Sequence, residues 1–140
     1  MQGFYFDELS LGQQAEMSRV VGAADIEAFA EVSGDINPVH LDEAYAKTTT
    51  FGERIAHGML GASYISAILG TRLPGPGCIY LSQALRFRRP VKIGDLVVAR
   101  ATITALDADK SRATLATVCE VAGKSVIEGE AVVIVPKRAG

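Results

Sequence analysis

Two histidines, His40 and His57, are the only imidazoles that this 140-residue chain offers for proton transfer near neutral pH. His40 lies in Ser33-Gly-Asp-Ile-Asn-Pro-Val-His-Leu-Asp42, five residues after Asp35. Pro38 pushes Asn37 toward extended geometry, so this stretch reads as a rigid polar loop rather than a regular helix. A carboxylate and an imidazole that converge across such a loop can hold one water and exchange protons with it. The alternative is an Asx-type turn, with Asp35 bonded to its own backbone and His40 at the surface. His57 lies in Arg54-Ile-Ala-His-Gly-Met59, where Gly58 opens an apolar helix. The first amides of a helix lack internal acceptors and favour negative charge, so the Gly58 N–H suits an oxygen that gains charge during a reaction. His57 itself reads as a cap or a supporting residue.

These groups need a scaffold, and the composition provides one. Hydrophobic residues make up 49% of the chain and charged residues 21%, with a mean hydropathy of +0.22, enough to fill the core of a single domain over residues 1–140. A net charge of −2 and a pI near 5.7 count against nucleic-acid binding, which needs a basic stripe. No apolar run approaches the roughly 18 residues of a membrane span, and the opening Met1–Glu8 lacks signal-peptide order, so a cytoplasmic protein is expected. Cys78 and Cys119 have no partner at metal spacing and read as buried free thiols.

The element pattern changes along the chain. Ile26, Phe29, Ala30 and Ser33 share a helical face, with Gly34 as its stop. From His57 to Gly70 nearly every residue is apolar or small, which predicts a helix buried on all sides. Alternation then takes over at 78–87, 97–106, 112–121 and 125–135, separated by turn residues, with an earlier strand near 14–21. The result is an α+β domain in which an antiparallel sheet curls around a central helix. An open sheet leaves edges, so a homodimer formed through an edge strand is expected.

Gly34-Asp-Ile-Asn-Pro-Val-His40 followed by Ile55-Ala-His-Gly-Met-Leu60 resembles the hydratase-2 signature of the MaoC-like family, and in particular its small (R)-specific enoyl-CoA hydratases. The likeness continues through Leu73–Leu81, Phe87–Val91 and Ile93–Asp95. It implies the hot-dog fold, a dimer with a continuous sheet, and reversible addition of water to a trans-2-enoyl-CoA to give an (R)-3-hydroxyacyl-CoA. It further implies a role in fatty acid metabolism, from β-oxidation to supply of polyhydroxyalkanoate precursors. On the residues of this chain it implies Asp35 and His40 as the catalytic pair, the Gly58 amide as oxyanion donor, Ser66 as a supporting hydroxyl and Asn37 as the group that orients the loop. If the acyl chain runs along the helix, Ile65 and Leu69 should meet its far end.

Coenzyme A carries phosphates, for which Arg72, Arg86, Arg88, Arg89 and Lys92 are candidates. No cofactor is expected. A metal reading would group Asp35, His40 and His57, but the implied hydration needs no metal. Other readings on the same fold are an acyl-CoA thioesterase and a dehydratase for branched acyl-CoA or acyl-carrier-protein substrates. A non-enzymatic acyl-binding module is the remaining class.

Overall fold

The computed structural model describes residues 1–138; Ala139 and Gly140, the end of the expected 1–140 domain, lie outside the described residues. Helix α1 (Ala23–Ser33) begins where Asp25 accepts a hydrogen bond from the Gly22 amide at 2.9 Å. It ends at Gly34, whose φ of 80° suits a residue without a Cβ and turns its N–H back to the Ala30 carbonyl. The next segment differs from the expected loop. Pro38 starts a short helix, α2 (Pro38–Leu41), and Asn37 caps it by accepting from the Val39 amide at 3.2 Å. Proline excludes helix from the residue before it, yet its fixed φ suits the first helical position, and here the second effect governs. Asp42 in turn caps α3 (Glu43–Ala46).

Five strands follow the alternation in the sequence: β1 (Gln14–Val20), β2 (Ile79–Phe87), β3 (Leu96–Asp107), β4 (Arg112–Val121) and β5 (Lys124–Ile134). They form one antiparallel sheet in the order β1-β3-β4-β5-β2, with β3-β4-β5 a meander and β1 and β2 at its edges. Every second residue of β3 and β4 points inward, namely Val97, Ala99, Ala101 and Ile103, then Ala113, Leu115, Thr117 and Cys119. Against this face lies α4 (Gly58–Thr71), whose Ile65, Ile68 and Leu69 are almost wholly buried, each contributing about 1.5–3 kcal/mol. The alanines let the helix come close enough for the Cys119 thiol to lie 3.5 Å from the Gly61 carbonyl. Burial pushes that thiol up to about 12. Both cysteines are free as expected, although Cys78 is only partly buried.

The helix is not enclosed on all sides. Met59, Ser63, Ser66 and Gly70 are exposed, because one curved sheet covers one flank of α4 and leaves the other open. That flank borders β2, where Ile79, Tyr80, Leu81 and Phe87 are also exposed. No helix is long and apolar enough to cross a membrane among the described residues.

Candidate active site

Asp35 sits in the loop between α1 and α2, where its Oδ1 accepts from the Asn37 amide at 3.2 Å and its own amide donates to Ser33 Oγ at 3.1 Å. The residue is exposed. His40 is on α2 and 8% exposed. A carbonyl can only accept, so His40 Nδ1–H donates to the Ile55 carbonyl at 2.8 Å, which leaves Nε2 as the free base. Arg54 Nε–H donates to the His40 carbonyl at 2.7 Å, and the Ile55 amide donates to the Val39 carbonyl at 3.3 Å. Three bonds thus clamp α2 to the strand-like chain that leads into α4. Burial lowers the pKa of His40, an effect that outweighs the Ile55 bond, while His57 lowers it further and Asp35 raises it.

His57 occupies the N-cap position of α4 without a side-chain capping bond, contrary to the expected cap, and is 3% exposed. Its Nε2–H donates to the Asp35 backbone carbonyl at 2.9 Å, and its ring stacks on His40 with centroids 3.9 Å apart and planes 26° from parallel. Phe29 of α1 lies against the same ring at 4.9 Å. One donor atom from each of Asp35, His40 and His57 falls within 4.8 Å of the others, so this trio is where a cation could be held. One nitrogen of each imidazole is already committed to a backbone carbonyl.

Asp35, His40, His57 and Gly58 line one wall of a cavity of about 420 Å³ that is otherwise mainly apolar, with Val97 and Ile127 among its inner residues. Gly58 is the first residue of α4, so its amide has no acceptor within the helix. A Cβ there would lie 2.6 Å from the Phe87 ring, so a side chain would crowd the approach to that amide. Arg88 and Arg89 also line this cavity, whereas Arg72, Arg86 and Lys92 do not. Arg72 bonds the Glu16 carbonyl, Lys92 pairs with Glu53 at 3.4 Å, Arg88 pairs with Glu128 at 3.5 Å and Arg89 donates to the Ser125 carbonyl at 2.5 Å.

The other expected site residues lie apart from this wall. Ser66 lines a separate groove on the open flank of α4, together with Met59, Ala62, Tyr80 and Gln83. Ile65 and Leu69 line neither the cavity nor the groove, because the face they share on α4 is turned into the core. Arg54, Phe29 and the Ile55 carbonyl also hold the site, with no signal in the sequence that marks them. Their contacts join segments 14 to 28 residues apart, beyond the reach of local spacing.

The MaoC-like domain family matches residues 9–133. The chain belongs to the MaoC-like family. Among MaoC-like relatives, an (R)-specific enoyl-CoA hydratase of Rhodospirillum rubrum is 54% identical over 134 residues, 96% of this chain and 93% of the relative. A 3-hydroxybutyryl-CoA dehydratase of Methylorubrum extorquens is 48% identical over 134 residues, 96% of this chain and 85% of the relative. The unliganded structure of the R-hydratase PhaJ1 from Pseudomonas aeruginosa superposes with a TM-score of 0.92 at 49% identity, covering 97% of this chain and 88% of the other. The fold of this MaoC-like chain is the hot dog, an α+β sheet wrapped on a central helix, as the sequence implied.

Proposed function

We propose that this MaoC-like chain is an (R)-specific enoyl-CoA hydratase, a hydro-lyase that interconverts trans-2-enoyl-CoA and (R)-3-hydroxyacyl-CoA. The observation that carries the reading is that Asp35, His40 and the Gly58 amide share one wall of one cavity. Its close relatives bear the names of the hydratase and of the reverse dehydratase, which are two directions of one equilibrium.

The chemistry follows from the atoms. Neutral His40 Nε2 and the Asp35 carboxylate hold a water between them. The water oxygen bonds to C3 as one of its O–H bonds breaks toward the pair, and the C2=C3 electrons move into the thioester carbonyl. The Gly58 N–H stabilises the oxygen as it becomes an enolate, an effect for which such donors supply about 3–4 kcal/mol. The enolate electrons then return to form the C2–H bond with a proton from the same pair, which restores its starting charge. Asp35 and His40 therefore act as one coupled unit. Asn37, as the cap of α2, orients the loop that carries both.

The thioester end of the substrate would enter past Arg88 and Arg89, whose charge suits a phosphate-bearing carrier. Met59 lines both the cavity and the groove, so an acyl chain could pass from Gly58 along the open flank of α4 to Ser66, with Ile65 and Leu69 behind the floor of its path. The exposed apolar residues on edge strand β2 support a homodimer that would close this groove. Two unpaired cysteines suit a reducing cytoplasmic setting. The role in fatty acid metabolism, whether in β-oxidation or in supply of polyhydroxyalkanoate precursors, follows from the same product.

The test is loss of the enoyl-thioester absorbance with crotonyl-CoA, run beside a thiol-release assay on saturated acyl-CoA. Hydration without thiol release is expected. Thiol release without hydration would instead make the chain a thioesterase.

A further inference from the structure

We infer that His57 is a positioning residue that holds both members of the acid–base pair, Asp35 through its backbone carbonyl and His40 through the face of its ring. The activity arm of this inference rests on the hydratase reading above. His57 touches both residues by different means: a 2.9 Å hydrogen bond from Nε2–H to the Asp35 carbonyl, and a stack at 3.9 Å on the His40 imidazole. It is fixed in turn as the residue that precedes the first turn of α4, so the ring ties the Asp35 loop and α2 to the helix end that carries the Gly58 amide. The three groups that must meet around one substrate come from three separate segments, and His57 is the side chain that contacts the first two while being bonded in sequence to the third.

A second observation separates this role from simple packing. His57 Nδ1 is buried and has no hydrogen-bond partner among the described residues, while Nε2–H is bonded to the Asp35 carbonyl. A buried acceptor without a donor is a cost that an apolar ring of similar shape would avoid. A residue kept only to fill the space between Phe29 and His40 would serve the fold better as phenylalanine. What the imidazole adds over such a ring is its Nε2–H bond to the Asp35 loop, as expected where a local group serves activity rather than stability. A small displacement of either catalytic group suffices to cost large factors in rate, because the water must be held in line with C3.

Two substitutions make the idea testable with opposite signs for stability and rate. His57→Phe keeps the stack and removes both the donor and the stranded acceptor. Its melting temperature is expected to equal or exceed that of the unaltered protein, while kcat for crotonyl-CoA falls at least tenfold and KM stays within threefold. His57→Gln returns an N–H near the position of Nε2 and is expected to recover kcat to within about threefold. A structural role gives the reverse pattern, with lower melting temperatures in both variants and unchanged kcat in the folded fraction, and that result would overturn the inference. A Gln variant as slow as the Phe variant would also overturn it. The ring 15N shifts of His57 provide a readout that needs no turnover: a protonated Nε2 and a bare Nδ1 are expected, and the opposite tautomer refutes the inference even if the hydratase reading stands. If the tautomer is as expected but the protein hydrates no enoyl-CoA, the hydratase reading is what has failed.

Discussion

The chemistry at the residue scale depends on keeping His40 neutral and aimed. Its Nδ1–H is held by Ile55, and burial lowers its pKa below the ordinary imidazole value of 6.5. The base form of His40 therefore persists into more acidic solution than a free histidine would allow, and activity should be lost as pH falls through that lowered value. The acid limb of a kcat/KM profile, which reports the free enzyme, is expected to have its midpoint below 6.5; a midpoint above 6.5 would mean that burial does not govern the group. Asp35→Asn and His40→Gln should each reduce kcat at least ~100-fold while melting temperatures hold. Because both hold one water, the double substitution should be far less than multiplicatively worse, and additive losses in activation free energy would assign them to separate steps.

Elements set where those residues stand. Loss of the Asn37 cap in Asn37→Ala should cost about 1 kcal/mol and loosen α2, so that thermal melts and kcat fall together. An Asn37→Ala protein with unaltered kcat would show that α2 holds His40 without its cap, through Arg54 and Ile55 alone. On α4, Leu69 is almost wholly buried in the core and lines neither the cavity nor the groove. Its truncation to alanine is therefore expected to lower the melting temperature, at the ~2–5 kcal/mol such truncations cost, and to leave the C8/C4 ratio of kcat/KM unchanged. A C8/C4 ratio raised roughly tenfold, at ~0.8 kcal/mol per accommodated CH₂, would instead place the end of the acyl chain against Leu69. The strands were legible in the sequence because their inward and outward residues alternate, and each lies within a residue or two of its expected range. The candidate pair was legible because a short Pro-containing stretch carries both Asp35 and His40. What escaped the sequence reading was set by tertiary contact. The sequence shows that Pro38 excludes helix before it, but not that it starts one. Nor does spacing show that Arg54 would reach the His40 carbonyl, or that one flank of α4 would stay open.

In the whole molecule, the backbone left unpaired lies at the sheet edges β1 and β2. β2 has one neighbour, β5, and its other side presents Tyr80 and Leu81 beside the groove that holds Ser66. A homodimer across this edge should be broken by Leu81→Lys, because a charge there would meet apolar side chains in the interface. Light scattering after size exclusion is expected to show a dimer for the unaltered protein and a monomer with reduced activity for the variant. A monomeric, fully active unaltered protein would remove the dimer from the proposal. With Asp35 and His40 on one wall, water is expected to reach one face of the enoyl thioester alone. The most direct measurement of this is chiral analysis of the 3-hydroxybutyryl-CoA formed from crotonyl-CoA, for which the (R) enantiomer alone is expected; an (S) or racemic product would contradict it.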